Sequence, residues 1–159
     1  MSLSDEYKRQ YAWRSWDAIF DTLPPIKGHS VLDLGCAVGD QATELVARGT
    51  HVIGLDANEE LLRDAQSRHL ANAEFRAANL RELSDLEVLV DGLWCSYTAA
   101  YFPDLPTVFD SWGTCLRPGG WVSLTEIDDL LHISTIFLVI ADPRPTHPDC
   151  FSEFALIPR

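Results

Sequence analysis

The sequence predicts an α/β fold with a doubly wound, mostly parallel sheet, and three observations indicate it. Short apolar runs typical of buried strands alternate with helical segments along most of the chain. The first run, residues 30–34, leads through Gly35 and Gly39 into a helix, and glycines free the backbone at such a turn. The second run, residues 51–55, ends at Asp56, which places a polar side chain at the carboxyl edge of the sheet.

Local capping signals place the other elements along the chain. The N-terminal helix should take Ser4 as its N-cap, continue to Leu23 and end before two prolines. Asn58 should cap a later helix, and Gly49 should end the first crossover helix. The predicted elements that remain are helices at 41–48, 58–69 and 103–115 and strands at 74–77, 92–97 and 121–126, the last after a turn at 116–120.

The C-terminal residues 128–159 are expected to depart from this regular alternation. Residues 133–140 fit a strand, but only about six residues connect it to the fifth strand, whereas a parallel crossover needs about a dozen. Alternatively, residues 129–140 form a helix and residues 151–157 the last strand. Either arrangement leaves the sheet shortened, and an open edge beside the apolar residues 136–140 predicts a homodimer.

Length and composition predict one globular domain, because the chain has 159 residues of which 47% are hydrophobic. Within this single domain, 1–159, we expect an N-terminal helix or lid at 5–23, a ligand-binding core at 30–127 and the divergent segment at 128–159. The interpretation treats the first three residues as outside the fold.

Charge and cysteine usage exclude several kinds of partner. The chain has 24 acidic and 12 basic residues, and its net charge of −12 repels nucleic acid and anionic membrane surfaces. The sequence shows no apolar signal peptide and no apolar run of about 18 residues, so we expect no membrane partner and a cytoplasmic location. For the same reason we expect reduced, buried thiols. No metal is expected, because no metal-ligand spacing occurs among the cysteines Cys36, Cys95, Cys115 and Cys150.

The glycine spacing after the first strand bears on which nucleoside ligand could bind. A dinucleotide fingerprint has glycines at its first, third and sixth positions, whereas counting from Gly35 places glycine at the first and fifth. An NAD(P)-dependent oxidoreductase is therefore disfavoured. An acid at the end of the second strand, Asp56, is suited to accept hydrogen bonds from both hydroxyls of a ribose.

The segment from Asp33 to Gly39 resembles the first motif of class I S-adenosylmethionine-dependent methyltransferases, which have a Rossmann-like fold. That motif is an acid, any residue, then glycine at three alternate positions, and here Ala37 occupies the middle glycine position. The alanine is compatible with the motif if its φ is negative. The resemblance continues in family order through Asp56, the segment 91–104 and the turn at 118–120.

The resemblance implies a site for S-adenosylmethionine at the carboxyl edge of the sheet. Asp56 would bind the ribose, Asn79 the adenine amino group, and Arg14 the methionine carboxylate as a charge-assisted pair. A turn role remains open for Asn79. The implied cofactor-binding residues are Arg14, Asp33, Gly35, Cys36, Ala37, Gly39, Asp56, Ala57, Asn79, Leu80, Cys95 and Ser96.

The aromatic residues of the N-terminal helix leave two interpretations open. They are Tyr7, Tyr11, Trp13, Trp16 and Phe20, and they spread over more than one helical face. In one interpretation they pack against the sheet. In the other, Tyr7, Tyr11 and Arg14 form a lid over the cofactor.

The resemblance implies methyl transfer to a small-molecule acceptor. Such a reaction requires mainly that the acceptor lie in line with the sulfur–methyl bond, and it needs a base only when the acceptor must lose a proton. His132, Tyr97 and Tyr101 are candidate bases, with exposure or packing as their alternative roles. A non-catalytic module that binds S-adenosylmethionine or S-adenosylhomocysteine is the alternative function, ahead of an NAD(P)-dependent oxidoreductase.

Overall fold

A computed structural model describes residues 2–12, 14 and 16–126, together with the backbone of 135–140 and 155–157. Its centre is a seven-stranded sheet in the order β3-β2-β1-β4-β5-β6-β7. β1 to β5 run parallel, while β6 and β7 are antiparallel to their neighbours, which confirms the predicted fold class. The strands are β1 Ser30–Leu34, β2 His51–Asp56, β3 Ala73–Ala77, β4 Val90–Ser96, β5 Leu116–Glu126, β6 Thr135–Ile140 and β7 Ala155–Ile157.

Helices cover both faces of the parallel part of the sheet, and their ends follow the capping signals in part. Asn58 caps α4 as predicted, since its Oδ1 accepts hydrogen bonds from the N–H groups of Glu60 and Leu61. That helix ends at Gln66, before the predicted residue 69. The helices are α1 Leu3–Tyr11, α2 Trp16–Phe20, α3 Asp40–Ala47, α4 Glu59–Gln66 and α5 Leu105–Gly113, with 3-10 turns at Ser84–Leu86 and Ala99–Tyr101.

The N-terminal segment forms two helices, so the prediction of one helix starting after Ser4 is wrong. Ser2 is the N-cap, because its hydroxyl accepts the N–H of Asp5 at 3.1 Å while the Asp5 carboxylate accepts the N–H of Ser2 at 2.9 Å. α1 therefore begins inside the segment that was assigned to lie outside the fold. α2 starts afresh at Trp16, whose indole N–H donates to the carbonyl of Tyr11 at 2.9 Å.

Two apolar layers flank the sheet. On one face, α5 packs Val108 and Trp112 against strand residues that include Leu34. On the other face, α2 packs Trp16 and Phe20 against Trp94, and the Phe20 and Trp94 rings stack with centroids 4.7 Å apart. Both faces of the central strands are covered, and most of their buried residues are apolar.

The C-terminal edge confirms the strand alternative for this part of the chain and contradicts the helix at 129–140. β6 pairs antiparallel with β5, from Trp121 opposite Ile140 to Glu126 opposite Thr135, so the short connection requires no crossover. β7 then pairs with residues 136–138 of β6, and the homodimer stays a prediction.

Among the helices of the described residues, none combines the length and apolar character needed to cross a membrane.

Candidate functional site

A cavity of about 810 Å³ opens at the carboxyl edge of the sheet, beside the point where the chain order switches between β1 and β4. The turn after β1, the ends of β2, β4 and β5, and one side of α1 surround it. Its volume lies within the range of about 300–1,000 Å³ that is typical of small-molecule sites.

The turn between β1 and α3 requires glycine at Gly35. The φ of this residue is +81°, and its N–H donates to the carbonyl of Leu55 at 2.8 Å. A Cβ at this position would overlap Thr98 Oγ1 and lie 2.7 Å from Thr98 Cγ2. The absence of a side chain thus lets the segment after β4 approach the turn, which brings two walls of the cavity together.

Ala37 has a left-handed backbone with φ +46°, so the negative φ on which its compatibility with the motif depended is not present. This conformation costs a non-glycine residue about 1–2 kcal/mol. The Ala37 N–H donates to Asp56 Oδ2 at 2.8 Å, and this bond holds the turn in place. The middle position of the motif therefore keeps the glycine-like conformation even though its residue is alanine.

Two backbone N–H groups orient the carboxylate of Asp56. Its Oδ2 accepts the N–H of Ala37 and its Oδ1 accepts the N–H of Asn58 at 2.9 Å. A carboxylate has about four acceptor positions, so each oxygen keeps one for a ligand. The carboxylate is thus both fixed and able to accept two hydroxyl groups.

The cavity side of α1 has residues at helical spacing, among them Tyr7 and Tyr11. Burial, then the neighbouring Tyr101 and the Asp56 carboxylate, raise the pKa of Tyr7. Burial and the nearby Glu44 carboxylate raise the pKa of Tyr11 as well. The two interpretations of the aromatic residues apply to different parts of the segment: residues of α1 face the cavity and those of α2 belong to the core, while Trp13 lies outside the described residues.

Arg14 follows α1 and lines the same cavity. Its Cζ lies 3.5 Å from the ring centroid of Tyr97, and its Nη2 donates to Gln10 Oε1 at 3.1 Å. The guanidinium is half-buried, so it attracts a bound anion more strongly than a fully solvated guanidinium would.

The turn after β3 contributes Asn79 and Leu80 to the cavity. Asn79 Oδ1 accepts the N–H of Arg81 at 3.1 Å, so the turn role left open for it is present. The side-chain amide still has two N–H donors and one lone pair on the oxygen. Leu80 is fixed through its carbonyl, which accepts the indole N–H of Trp112 at 2.6 Å.

Eight of the predicted site residues line the cavity and four do not. Those that line it are Arg14, Gly35, Ala37, Asp56, Ala57, Asn79, Leu80 and Ser96. Those that lie behind its wall are Asp33, Cys36, Gly39 and Cys95. Sequence position alone could not separate the two sets, because neighbouring residues of a strand or turn face different sides.

Asp33 is the most unusual of the residues behind the wall. It is 2% exposed and its Oδ2 has no hydrogen-bond partner among the described residues. Burial, and then the charge of Asp56, raise the pKa of Asp33 to about 8. This carboxyl group is therefore protonated through most of the neutral range.

Gly39 has a packing role at the start of α3. Its φ is +77°, and an added Cβ would lie 3.0 Å from Phe75 Cζ and 3.2 Å from Ala65 Cβ. The glycine lets α3 approach the neighbouring strand and helix closely.

Sequence reasoning missed Thr98, Phe102 and Glu126, which line the cavity after the ends of β4 and β5. The available signal was their position, since ligands bind beyond the carboxyl ends of parallel strands. Glu126 Oε1 accepts the N–H of Ala100 at 3.2 Å. Of the candidate bases, Tyr97 and Tyr101 line the cavity, and His132 lies outside the described residues.

In the described part of the chain, no group of three or more His, Cys, Asp or Glu side chains could hold a metal ion. Its three cysteines, Cys36, Cys95 and Cys115, are free and buried.

Comparison with known proteins assigns the family. A profile of the methyltransferase domain matches residues 31–120. The ubiquinone biosynthesis O-methyltransferase of Chromobacterium violaceum is 28% identical over 132 residues, which are 77% of this chain and 57% of that protein. The nocamycin O-methyltransferase of Saccharothrix syringae is 32% identical over 114 residues, covering 67% of this chain and 41% of that protein.

Solved structures agree with this assignment. The crystal structure of an S-adenosylmethionine-dependent methyltransferase from Mesorhizobium loti superposes with a TM-score of 0.65 at 26% identity, covering 70% of this chain and 52% of that one. The chain thus spans only 41–57% of the length of these relatives and of this solved structure. Its family match nevertheless covers more than half of the sequence, and the chain belongs to the class I S-adenosylmethionine-dependent methyltransferases.

Proposed function

We propose that this chain binds S-adenosylmethionine in the cavity and transfers its methyl group to a small-molecule acceptor. The carboxylate of Asp56 supports this proposal most directly, because two backbone N–H groups orient it while its remaining lone pairs face a ligand site. The turn beside it contributes bare backbone at Gly35, where a ligand can approach closely.

The other cavity residues suit the remaining parts of the cofactor. Asn79, Leu80 and Ala57 lie near the ends of β2 and β3, where an adenine would extend from a ribose held by Asp56. Ser96 and Arg14 lie toward β4, on the side where the methionine would lie. In this proposal the guanidinium of Arg14 pairs with the methionine carboxylate.

The four predicted residues behind the wall contribute indirectly. Gly39 and Cys36 shape the turn and its contact with β2 and β3, since Cys36 Sγ would lie 3.0 Å from a Cβ added at Gly54. Cys95 and Asp33 are buried in the strands on either side of the switch point. We assign these residues to supporting the shape of the cofactor site.

When bound, the cofactor supplies a methyl group on a positively charged sulfonium. The residues of this chain hold the two reactants in line and keep water out, which accounts for most of the catalysis such a transfer needs. Tyr7 of α1 lines the cavity, and its hydroxyl can donate a hydrogen bond to a ligand. Asp56 and Glu126 add negative charge around the cationic ligand.

Calorimetric titration with S-adenosylmethionine, S-adenosylhomocysteine and NAD tests the binding part of this proposal. Asp56→Ala should weaken the binding of S-adenosylmethionine by about 1–3 kcal/mol, because it removes charge-assisted hydrogen bonds to the ribose. Asp110→Ala is the matched control, since it removes the same charge from an exposed position on α5. Equal affinities of both variants and the unchanged protein would contradict the role of Asp56.

Turnover distinguishes an enzyme from a binding module. Ala37 adds a methyl group to the turn at a position where the motif has glycine. This difference from the motif favours the non-catalytic alternative. A panel of small molecules with hydroxyl, amine, thiol or acidic carbon nucleophiles should be incubated with labelled cofactor. Transfer of label to one class supports the enzyme, and tight binding without transfer to any class supports the module.

The predictions on assembly, location and partners stay part of the proposal. We infer a single domain, 1–159, that excludes nucleic acid and membranes as partners because of its net charge of −12. A cytoplasmic location agrees with the free thiols of the described cysteines. A homodimer formed by strand pairing would use an outer strand of the described sheet, such as β7, and light scattering that shows a monomer at micromolar concentration would contradict it.

A further inference from the structure

Tyr97 stands directly after β4 in a conformation that its side chain disfavours. Its φ is +56°, the left-handed region that a bulky residue enters at a cost of about 1–2 kcal/mol. The Tyr97 N–H donates to the carbonyl of Thr125 at 2.7 Å, so the hydrogen bond to β5 maintains the strained turn. Such strain is typical of functional sites, where the surrounding structure holds a side chain in a required direction.

The ring of Tyr97 supports the guanidinium of Arg14. The Cζ of Arg14 lies 3.5 Å from the ring centroid, well within the distance of about 6 Å for a cation–π contact. Trp16 meets the same ring edge-on, with centroids 6.1 Å apart and planes at 85°, and also contacts the guanidinium. Gln10 accepts one N–H of the arginine. The guanidinium is thus held from several sides while it lines the cavity.

We propose that Tyr97 is a positioning residue that holds the guanidinium of Arg14 ready for a carboxylate ligand. The inference rests on the proposed function, in which that carboxylate belongs to the methionine part of the cofactor. An arginine side chain loses considerable rotamer freedom when it is fixed, and a guanidinium already stacked on a ring loses less when its ligand arrives. The left-handed turn is the structural means by which the ring reaches this position.

Ligands with and without the carboxylate test this inference by calorimetry on the whole chain. S-adenosylhomocysteine has the amino-acid part, whereas 5′-methylthioadenosine keeps the nucleoside and sulfur but lacks it. Tyr97→Asn removes the ring and suits the left-handed backbone, so the fold should persist. Tyr97→Phe is the matched control, because it keeps the ring and removes only the hydroxyl.

Tyr97→Asn should weaken the binding of S-adenosylhomocysteine by about 3- to 30-fold and change that of 5′-methylthioadenosine by less than about 2-fold. Tyr97→Phe should keep both affinities within about 2-fold. Arg14→Gln should weaken the first ligand selectively, and adding Tyr97→Asn to Arg14→Gln should cause no further loss, because the two residues act through one contact.

The outcomes separate this inference from the proposed function. Equal losses of both ligands in Tyr97→Asn would overturn the positioning role, and so would unchanged affinity in Tyr97→Asn when Arg14→Gln weakens S-adenosylhomocysteine. If Arg14→Gln does not discriminate between the ligands, the assignment of Arg14 fails and the inference fails with it. If the unchanged chain binds neither ligand, the proposed function itself is wrong.

Discussion

Gly35→Ala should destabilise the fold more than the same substitution at a left-handed glycine with open space around it. The substitution adds a methyl group at φ +81° against Thr98, where it would overlap Oγ1 and lie 2.7 Å from Cγ2 and 2.9 Å from Cβ. Gly28→Ala is the matched control, because its φ is +84° and nothing lies within 4 Å of the added Cβ.

The structure separates two contributions to the loss of stability. A left-handed alanine costs about 1–2 kcal/mol, and the lower entropy of the unfolded chain offsets about 0.4–1 kcal/mol of that, so Gly28→Ala should lose about 1 kcal/mol. At Gly35 the overlap with Thr98 adds about 1–3 kcal/mol, as is usual for overpacked sites. Gly35→Ala should therefore lose about 2–4 kcal/mol in total.

Urea unfolding followed by tryptophan fluorescence measures these free energies of unfolding, and the chain has 5 tryptophans to report them. A double-mutant cycle completes the assay. Thr98→Ala removes Oγ1 and Cγ2, so in the Gly35→Ala background it should recover about 1–2 kcal/mol, whereas on its own it should not stabilise the protein.

Equal losses in Gly35→Ala and Gly28→Ala would refute the steric part of this reasoning. A coupling energy near zero between positions 35 and 98 would refute the assignment of the overlap to Thr98. Either result would mean that the turn after β1 and the segment after β4 do not approach as closely as the structure shows.

Two further substitutions test the buried acid and the strained alanine. The folded-state pKa of Asp33, about 8, lies above its unfolded value of about 4, so the folded state binds more protons between these pH values and stability falls as pH rises through them. This dependence is on the order of 1 kcal/mol per pH unit, and Asp33→Asn should abolish it. Urea unfolding at pH 5 and pH 8 measures it, and the same change in the free energy of unfolding in both proteins would contradict the prediction. Ala37→Gly should raise the free energy of unfolding by up to about 1 kcal/mol, because the φ of +46° suits glycine; a lower midpoint in urea would show that the alanine is not strained.

Much of the cofactor-binding half of the fold could be predicted from local residues. Asn58 caps its helix through bonds to N–H groups two and three residues on, and Gly49 takes a left-handed φ of +87° after α3. Asp56 ends β2 and reaches the turn after β1. These features depend on backbone preferences over a few residues, which the sequence states directly.

Other predictions failed where distant contacts override local preference. One helix was expected at the N-terminus, but packing of Trp16 and Phe20 against the sheet separates α2 from α1. An alanine ordinarily prefers a negative φ, but Ala37, whose N–H donates to Asp56, has a positive one. In both cases a tertiary contact is worth more than the preference it opposes.

By itself the sequence determined the order of strands and helices from β1 to β5, the glycine turn and the acid at the end of β2, because each of these depends on residues close together in the chain. Only the tertiary structure decided which of the motif residues meet the cavity, such as Gly35 and Asp56, and which lie behind it, such as Asp33 and Cys95. The tertiary structure also brought Tyr97 beneath Arg14 and Thr98 against the glycine turn. The physical reason is that these contacts join segments far apart in sequence, and their geometry is set by how strands and helices pack.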